Sequence, residues 1–188
     1  QLGNKDAAIR NYNKALDIHY KTGNKIGEAS ILINLGIVYL ADSLYDKALK
    51  NVEKSRNIFE NLRQKRDIAE TYIFSGDIYF QKKEYQQALN HYQKAEKLNS
   101  EIHNLNNQVL ALFSMGKTYN ELGDYNAAIG IFEKSRNITP KDFYPVYPDI
   151  YLGFSNAYFG LKEFKKSREY YDRFVSCKDS IYTEKPHL

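Results

Sequence analysis

Four histidines and one cysteine are the residues best suited by type to metal binding or nucleophilic catalysis. The histidines are His19, His91, His103 and His187. A zinc site on a helix needs two ligands about one turn apart, and no two of these histidines have that spacing. Cys177 is the only cysteine, which excludes an internal disulfide and a multi-cysteine metal site. Because a glycine-rich phosphate loop is also absent, we predict no enzymatic activity, no catalytic residue, no metal site and no cofactor.

The charged residues are spread along the chain and alternate in sign. There are 27 Lys and Arg against 23 Asp and Glu, for a net charge of +4. Basic pairs such as Lys82-Lys83 stand beside acidic residues such as Glu84, whereas a nucleic-acid-binding surface gathers its basic residues into one patch. No run approaches 18 consecutive apolar residues. We therefore predict no nucleic-acid binding and no direct membrane insertion.

A repeat of forty residues organises the chain. When the sequence is aligned with itself at this shift, alanines fall into register at Ala8, Ala48, Ala88 and Ala128. Four positions later, large hydrophobic residues align at Tyr12, Val52, Tyr92 and Phe132. Glycines align earlier in the units at Gly36, Gly76 and Gly116, and tyrosines follow them at Tyr39, Tyr79 and Tyr119. A fixed period of this length indicates an array of small structural units.

The hydrophobic spacing within a unit is helical. In the second unit the apolar residues recur every three or four positions, at Ala29, Leu32, Leu35 and Tyr39. A short polar break at residues 41–43 separates the two halves of the unit. Each unit is therefore predicted to be an antiparallel helix pair that buries its apolar face only by stacking on its neighbours. We also predict that Gly36 and Ala48 let the two helix axes approach closely.

These columns resemble the tetratricopeptide repeat (TPR), which places small and aromatic residues at set positions of two helices. The fourth unit is the most similar, through Leu112, Gly116, Tyr119, Tyr125, Ala128, Phe132 and Ser135. The resemblance implies an all-α fold, a right-handed α-solenoid of stacked antiparallel helix hairpins (a TPR superhelix), and a protein-binding function. The period of forty residues exceeds the usual period of about 34, so the longer form of the repeat, with longer helices, is expected.

The repeat alignment predicts one TPR domain over residues 1–188. The chain opens within a unit whose first helix is missing, so the first segment is the second helix of a truncated repeat. The predicted segments are 1–22 for that helix, 26–62, 66–103 and 106–140 for the second, third and fourth repeats, and 147–182 for the fifth repeat with the C-terminal helix.

The long repeat and the lysine-rich residues 177–185 resemble the TPR modules of bacterial sensor or two-component proteins and of helix-turn-helix regulators. This resemblance implies that the module is the sensing or interaction part of a larger signalling regulator. Two alternatives stay open, a stand-alone scaffold or adaptor and a regulatory repeat domain fused to an enzyme. The sequence does not fix the localisation, which is the cytoplasm by default and the periplasm for a membrane-anchored sensor.

In the family that the chain resembles, the first helix of each pair lines a concave groove that binds a protein or peptide. Carried over position by position, the groove residues are Asn34, Ile37, Phe74, Asp77, Phe80, Phe113, Lys117, Asn120, Asn156 and Phe159. The same carry-over places Glu121, Asp149 and Leu152 among them. An apolar, aromatic groove with a few polar groups suits a peptide. In the alternative interpretation, Phe74, Phe80 and Phe113 pack between neighbouring helices, because aromatic residues at helical spacing commonly form a core.

Overall fold

The computed structural model describes residues 2–139 and 147–183, and all regular secondary structure within those ranges is α-helical. This confirms the predicted all-α class. The helices are α1 (Leu2–Lys21), α2 (Lys25–Ala41), α3 (Tyr45–Asn61), α4 (Lys65–Gln81), α5 (Tyr85–Glu101), α6 (Leu105–Leu122), α7 (Tyr125–Ile138), α8 (Tyr147–Gly160) and α9 (Phe164–Thr183). Of the residues discussed above, His187 and the part of the lysine-rich segment beyond residue 183 lie outside the described ranges.

Short links with one repeated backbone conformation connect the consecutive helices from α1 to α7, and also α8 to α9. A residue with a left-handed φ of 55° to 77° occurs in the links at Gly23, Ser43, Arg63, Lys83, His103, Gly123 and Lys162. In the α2–α3 link, the N–H of Ser43 donates to the carbonyl of Leu40, and the N–H of Leu44 donates to the carbonyl of Tyr39, both at 2.9 Å. The same two hydrogen bonds close the other six links. They satisfy carbonyls that a helix end leaves unpaired.

The residue after the left-handed position caps the next helix. In three links its side chain accepts a hydrogen bond from the first turn, at 2.9 Å for Asn24 from Gly27, 3.4 Å for Asn104 from Asn107 and 3.1 Å for Asp124 from Ala127. Asn and Asp are favoured at this position because their side-chain oxygens reach the unpaired N–H groups of the first turn. One link of three residues therefore ends one helix and starts the next.

The described chain forms two compact units, Gln1–His91 and Tyr92–Leu188. In the first unit α3 packs on α2 and on α4. Ala48, Val52 and Ile78 are fully buried there. A β-carbon placed on Gly36 would lie 3.0 Å from Val52 Cγ2 and 3.6 Å from the carbonyl oxygen of Ala48. Glycine at this position thus allows α2 to lie close against α3.

In the second unit a cluster of fully buried side chains lies among α6, α7 and α8. It contains Val109, Ala128, Phe132, Ile150, Phe154 and Ala157. The ring of Phe132 lies between two glycines, because a β-carbon on Gly116 would be 2.5 Å from its Cε1 and one on Gly153 would be 2.7 Å from the same atom. Because the two glycines have no side chains, α6 and α8 leave the space that the ring of Phe132 fills.

Candidate functional site

In the first unit, the predicted groove residues lie on α2 and α4. Ile37 of α2 is 49% exposed, whereas Asn34 on the same helix is half-buried. Phe74, Asp77 and Phe80 of α4 are all half-buried. These two helices therefore carry one exposed isoleucine and several partly buried aromatic and polar side chains.

Phe74 contributes to the packing of the first unit. Its ring contacts the cluster of Ala48, Val52 and Ile78. A β-carbon on Gly36 would lie 3.1 Å from Phe74 Cε1, so the ring fills space that the glycine leaves open. This contact supports the core interpretation of Phe74, and its membership of a binding surface stays a prediction.

The second unit contains a cleft of about 270 Å³ between α6 and α8. It is lined by Phe113, Lys117, Asn120, Glu121, Asp149, Leu152, Gly153 and Asn156. Four of the predicted groove residues are therefore brought together: Phe113, Lys117, Asn120 and Asn156. Glu121, Asp149 and Leu152 of the same carry-over also line it. The repeat alignment could also have predicted Gly153 as a lining residue, because in the fifth repeat it holds the position that Phe74 holds in the third.

The amide of Asn120 is held in place at the wall of this cleft. Its Nδ2 donates a hydrogen bond of 3.0 Å to the carbonyl oxygen of Gly153, which ties α6 to α8. The Oδ1 of the same amide is buried and accepts no hydrogen bond from the described residues. A buried polar atom left without a partner costs about 1–3 kcal/mol.

Charged groups surround an apolar floor in the cleft. Lys117, Glu121 and Asp149 are exposed, and Phe113 and Leu152 are half-buried. The ammonium of Lys117 lies 5.6 Å from the centre of the Phe113 ring, within the range of a cation–π contact. The cleft therefore offers two apolar side chains, two carboxylates and one ammonium within one small volume.

Phe159 of α8 does not line the cleft. Its side chain is 64% exposed, and its ring lies edge-on to the ring of Phe164 with the two centres 5.6 Å apart. Ile37, Asn34, Phe74, Asp77 and Phe80 belong to the first unit. The structure thus brings together those predicted residues that lie on α6 and near the middle of α8.

The described parts of the chain contain neither a candidate metal site nor a candidate membrane-spanning helix. No cluster of three or more His, Cys, Asp or Glu side chains there could hold a metal ion. Within residues 2–139 and 147–183, no helix is both long and apolar enough to cross a lipid bilayer.

Cys177 on α9 is a half-buried free thiol, and burial raises its pKa. Because the thiolate is the reactive form, a raised pKa lowers the reactive fraction at neutral pH. We expect iodoacetamide to alkylate Cys177 more slowly at pH 7.5 than a cysteine in a short unstructured peptide, with the difference narrowing as pH rises. Mass spectrometry of timed samples measures this. Faster alkylation of Cys177 in the folded chain than of the peptide would contradict it.

The family model described as a tetratricopeptide repeat matches residues 1–61 and 67–141, which is more than half of the chain. The chain belongs to the tetratricopeptide repeat family. None of the curated proteins matches the sequence.

Several solved structures have the same fold as this TPR chain. MamA is 23% identical with a TM-score of 0.69, and the match covers 96% of this chain and 92% of MamA. BtubC from P. vanneervenii is 16% identical with a TM-score of 0.82, over 99% of this chain and 78% of BtubC. Aspartyl phosphate phosphatase F from Bacillus subtilis is 16% identical with a TM-score of 0.86, over 96% of this chain but only 49% of the phosphatase. At these identities the similarity concerns the fold.

The family assignment confirms the resemblance on which the sequence interpretation rests. It also supports the coarser part of the functional prediction, namely that this TPR chain is a protein–protein interaction module.

Proposed function

We propose that this TPR chain binds an extended segment of another polypeptide in the cleft between α6 and α8. The observation that carries the proposal is the lining of the cleft, in which the apolar side chains of Phe113 and Leu152 lie among charged and polar groups. The amide of Asn120, held by the carbonyl of Gly153, fixes α6 against α8 at this place. A concave site with apolar contacts and a few placed polar groups suits a peptide segment.

The remaining lining residues suit the side chains of such a peptide. Phe113 and Leu152 offer an apolar contact for one hydrophobic side chain. Lys117, Glu121 and Asp149 at the exposed rim favour a ligand with complementary charges, which sets its position and its association rate more than its affinity. Asn156 is exposed and provides both a donor and an acceptor. The chemistry that fits is a short peptide with one apolar side chain between charged residues.

The predicted residues of the first unit form a separate part of the proposal. Ile37 and Asn34 on α2, with Asp77 and Phe80 on α4, would contact a ligand of that unit. The exposed apolar surface of Ile37 supports this. The packing of Phe74 supports a role for it in shaping this surface from beneath.

As to biological context, the proposal is that the module is the interaction part of a signalling regulator. The match covers only half of the phosphatase, which supports a module that is part of a longer chain. A regulatory repeat domain fused to an enzyme would also be such a module. The match over 92% of MamA supports the alternative of a stand-alone scaffold. Reading the gene beyond the codon for Leu188 tests these possibilities: a kinase or DNA-binding region supports the regulator, a catalytic domain the fused enzyme, and a stop codon or more repeats the scaffold.

Binding in the cleft is tested with peptides selected from a phage-displayed random library on the immobilised chain. We expect a variant with Lys117→Glu and Asn156→Ala to weaken the selected peptides at least tenfold, or about 1.4 kcal/mol. Both side chains are exposed, so the fold should be unaffected. Fluorescence anisotropy with a labelled peptide measures the dissociation constants.

The matched control is Lys97→Glu, a charge reversal at an exposed lysine of α5 that does not line the cleft. It should leave the affinity within about twofold. Equal affinity for the parent chain and the double variant, with both showing the same helical circular-dichroism signal, would place the peptide elsewhere and overturn the proposal.

A further inference from the structure

Helices α6 and α8 carry very few charged side chains, and all of them line the cleft between the two helices. The 18 residues of α6 include only Lys117 and Glu121, and the 14 residues of α8 include only Asp149. By contrast, eight of the 20 residues of α9 are charged. A helix face that is merely solvated carries charged residues along its whole exposed length. Their restriction to the cleft therefore indicates a role in that cleft.

The two charges of α6 are not placed where they would stabilise the helix. Glu121 lies in the last turn, at the carbonyl end of the helix dipole, where a carboxylate is disfavoured. Lys117 precedes it by four residues, and a lysine before a glutamate is the less favourable order within a helix. Asp149 lies in the first turn of α8, where a carboxylate is favoured. Helix stability therefore accounts for Asp149 but not for Lys117 or Glu121.

The order of these groups along the cleft is set by α6 and α8, which run parallel because both are antiparallel to α7. Phe113 and Leu152 are counterparts in successive repeats, and they form the apolar part of the lining. Asp149 precedes Leu152 by three residues. Lys117 and Glu121 follow Phe113 by four and eight residues. The cleft therefore presents, in order, a carboxylate, an apolar contact, an ammonium and a second carboxylate.

These steps match the spacing of side chains in an extended peptide. Groups one turn apart on a helix are separated by about 6 Å along its axis. Side chains on one side of an extended segment recur about every 6.4–6.8 Å. A segment that lies along the cleft therefore places every second side chain at successive lining groups.

Given the peptide binding proposed above, we infer that the cleft binds a segment in which every second residue is, in order, basic, apolar, acidic and basic. The first basic residue faces Asp149, and the apolar residue lies between Phe113 and Leu152. The acidic residue faces Lys117, and the second basic residue faces Glu121. The net charge of +1 on this segment complements the two carboxylates and one ammonium of the cleft. Complementary charges fix the register of a ligand, and like charges exclude other ligands.

The order of the side chains does not fix the direction of the main chain, so two probes are needed. The first is a fluorescent peptide with blocked ends and the sequence Arg-Ser-Leu-Ser-Glu-Ser-Arg, and the second has the reverse sequence. Each has a control of identical composition in which the glutamate and the arginine nearest to it are exchanged. In fluorescence anisotropy, we expect one probe to bind the full chain at least fivefold more tightly than its control. Added salt should reduce this difference, because it screens exposed charges.

Exchanging the two charges of α6 gives the decisive variant. Lys117→Glu with Glu121→Lys keeps the net charge and puts the glutamate before the lysine, the order that favours a helix. Both side chains are exposed, so circular dichroism should show the parent fold. This variant should prefer the control peptide to the probe, because the acidic and basic positions of α6 have changed places. Such a reversal would not follow from a partly unfolded chain.

The matched control is the same kind of exchange at an exposed pair outside the cleft. Arg168→Asp with Asp172→Arg changes two side chains of α9 that are also four residues apart and do not line the cleft. This variant should keep the preference of the parent chain for the probe.

The outcomes separate this inference from the proposed function. If peptides selected from the random library bind in the cleft but neither probe binds more tightly than its control, the charge order is wrong and the proposed function stands. A preference that the exchange on α6 does not reverse would also overturn the inference, because other groups would then select the charges. If neither the selected peptides nor the probes bind saturably, the proposed function fails and the inference fails with it.

Discussion

Truncation of Phe132 to alanine is expected to lower the free energy of unfolding of the second unit by about 3–5 kcal/mol. Phe132 is fully buried, and its ring centre lies 5.5 Å from that of Phe154 and 6.2 Å from that of Phe113. Removing the ring takes away contacts with α6 and α8 and leaves a cavity at the centre of the cluster. Urea unfolding followed by circular dichroism at 222 nm measures the loss.

The repeat offers a matched control for this experiment. Tyr171 holds the corresponding position in α9 but is 48% exposed. Tyr171→Ala should cost no more than about 1 kcal/mol, because little buried surface is lost. Equal losses for the two variants would contradict the packing described for Phe132.

Replacement of Gly153 by alanine is expected to cost about 1–3 kcal/mol. The added β-carbon would lie 2.7 Å from Phe132 Cε1, and this ring is fully buried and also lies close to Gly116. Relief of the overlap therefore requires the ring or α8 to shift within a packed core. The shift in the urea midpoint, with an unchanged slope, measures the cost.

Gly130 provides the control for this substitution. It lies within α7, is exposed, and a β-carbon there would have nothing within 4 Å. Gly130→Ala should stabilise the chain by up to about 1 kcal/mol, since alanine is the better helix former. If both glycine substitutions stabilise the chain, the overlap at Gly153 is absent.

A double variant separates overlap from helix propensity. In a Phe132→Leu background, Gly153→Ala should cost less than it does alone, because the smaller side chain leaves room for the β-carbon. The first unit shows the reverse combination at the corresponding positions, where a small Val52 on α3 meets a large Phe74 on α4. Additive costs in the second unit would indicate that the ring and the glycine are energetically independent.

The helix pairs could be predicted from the sequence because each aligned position of the repeat makes the same kind of contact within its own helix pair. Ala48 and Val52 recur with helical spacing, and both are fully buried. The serine of another column also has a shared role: Ser55 Oγ donates to the carbonyl of Ala29 at 2.9 Å, and Ser135 Oγ donates to that of Val109 at 3.4 Å. Such contacts repeat with the sequence, so the alignment alone indicated the fold.

The candidate site could be predicted only in part, because its shape depends on side chains from different helices. The position of Phe74 on its helix predicts the side on which it lies, but the size of Val52 decides whether its ring packs inward. At the boundary between α7 and α8, Gly153 takes the place of Phe74, and it forms part of the wall of the cleft. The unpartnered oxygen of Asn120 likewise depends on the carbonyl of Gly153, a contact between residues 33 positions apart.

The left-handed links carry little sequence signal for a related reason. Among the described links, the left-handed residue is a glycine only at Gly23 and Gly123. Residues with a β-carbon, such as Ser43, Arg63 and Lys83, take the same conformation in other links. That conformation costs roughly 1–2 kcal/mol for a residue other than glycine. The hydrogen bonds that close the links offset this cost, and each of them joins a link to the last turn of the preceding helix.

The equal spacing of these links means that whole repeats could be deleted or duplicated without changing the links. From residue 23 to residue 123 a left-handed residue recurs every twenty positions, each closed by the same pair of hydrogen bonds. Deleting residues 44–83 would join Ser43 to Glu84 and recreate the native type of junction between the first and second helices of a pair. Duplicating such a segment would do the same, so arrays of different length could be cut and spliced in steps of forty residues without designing a new loop.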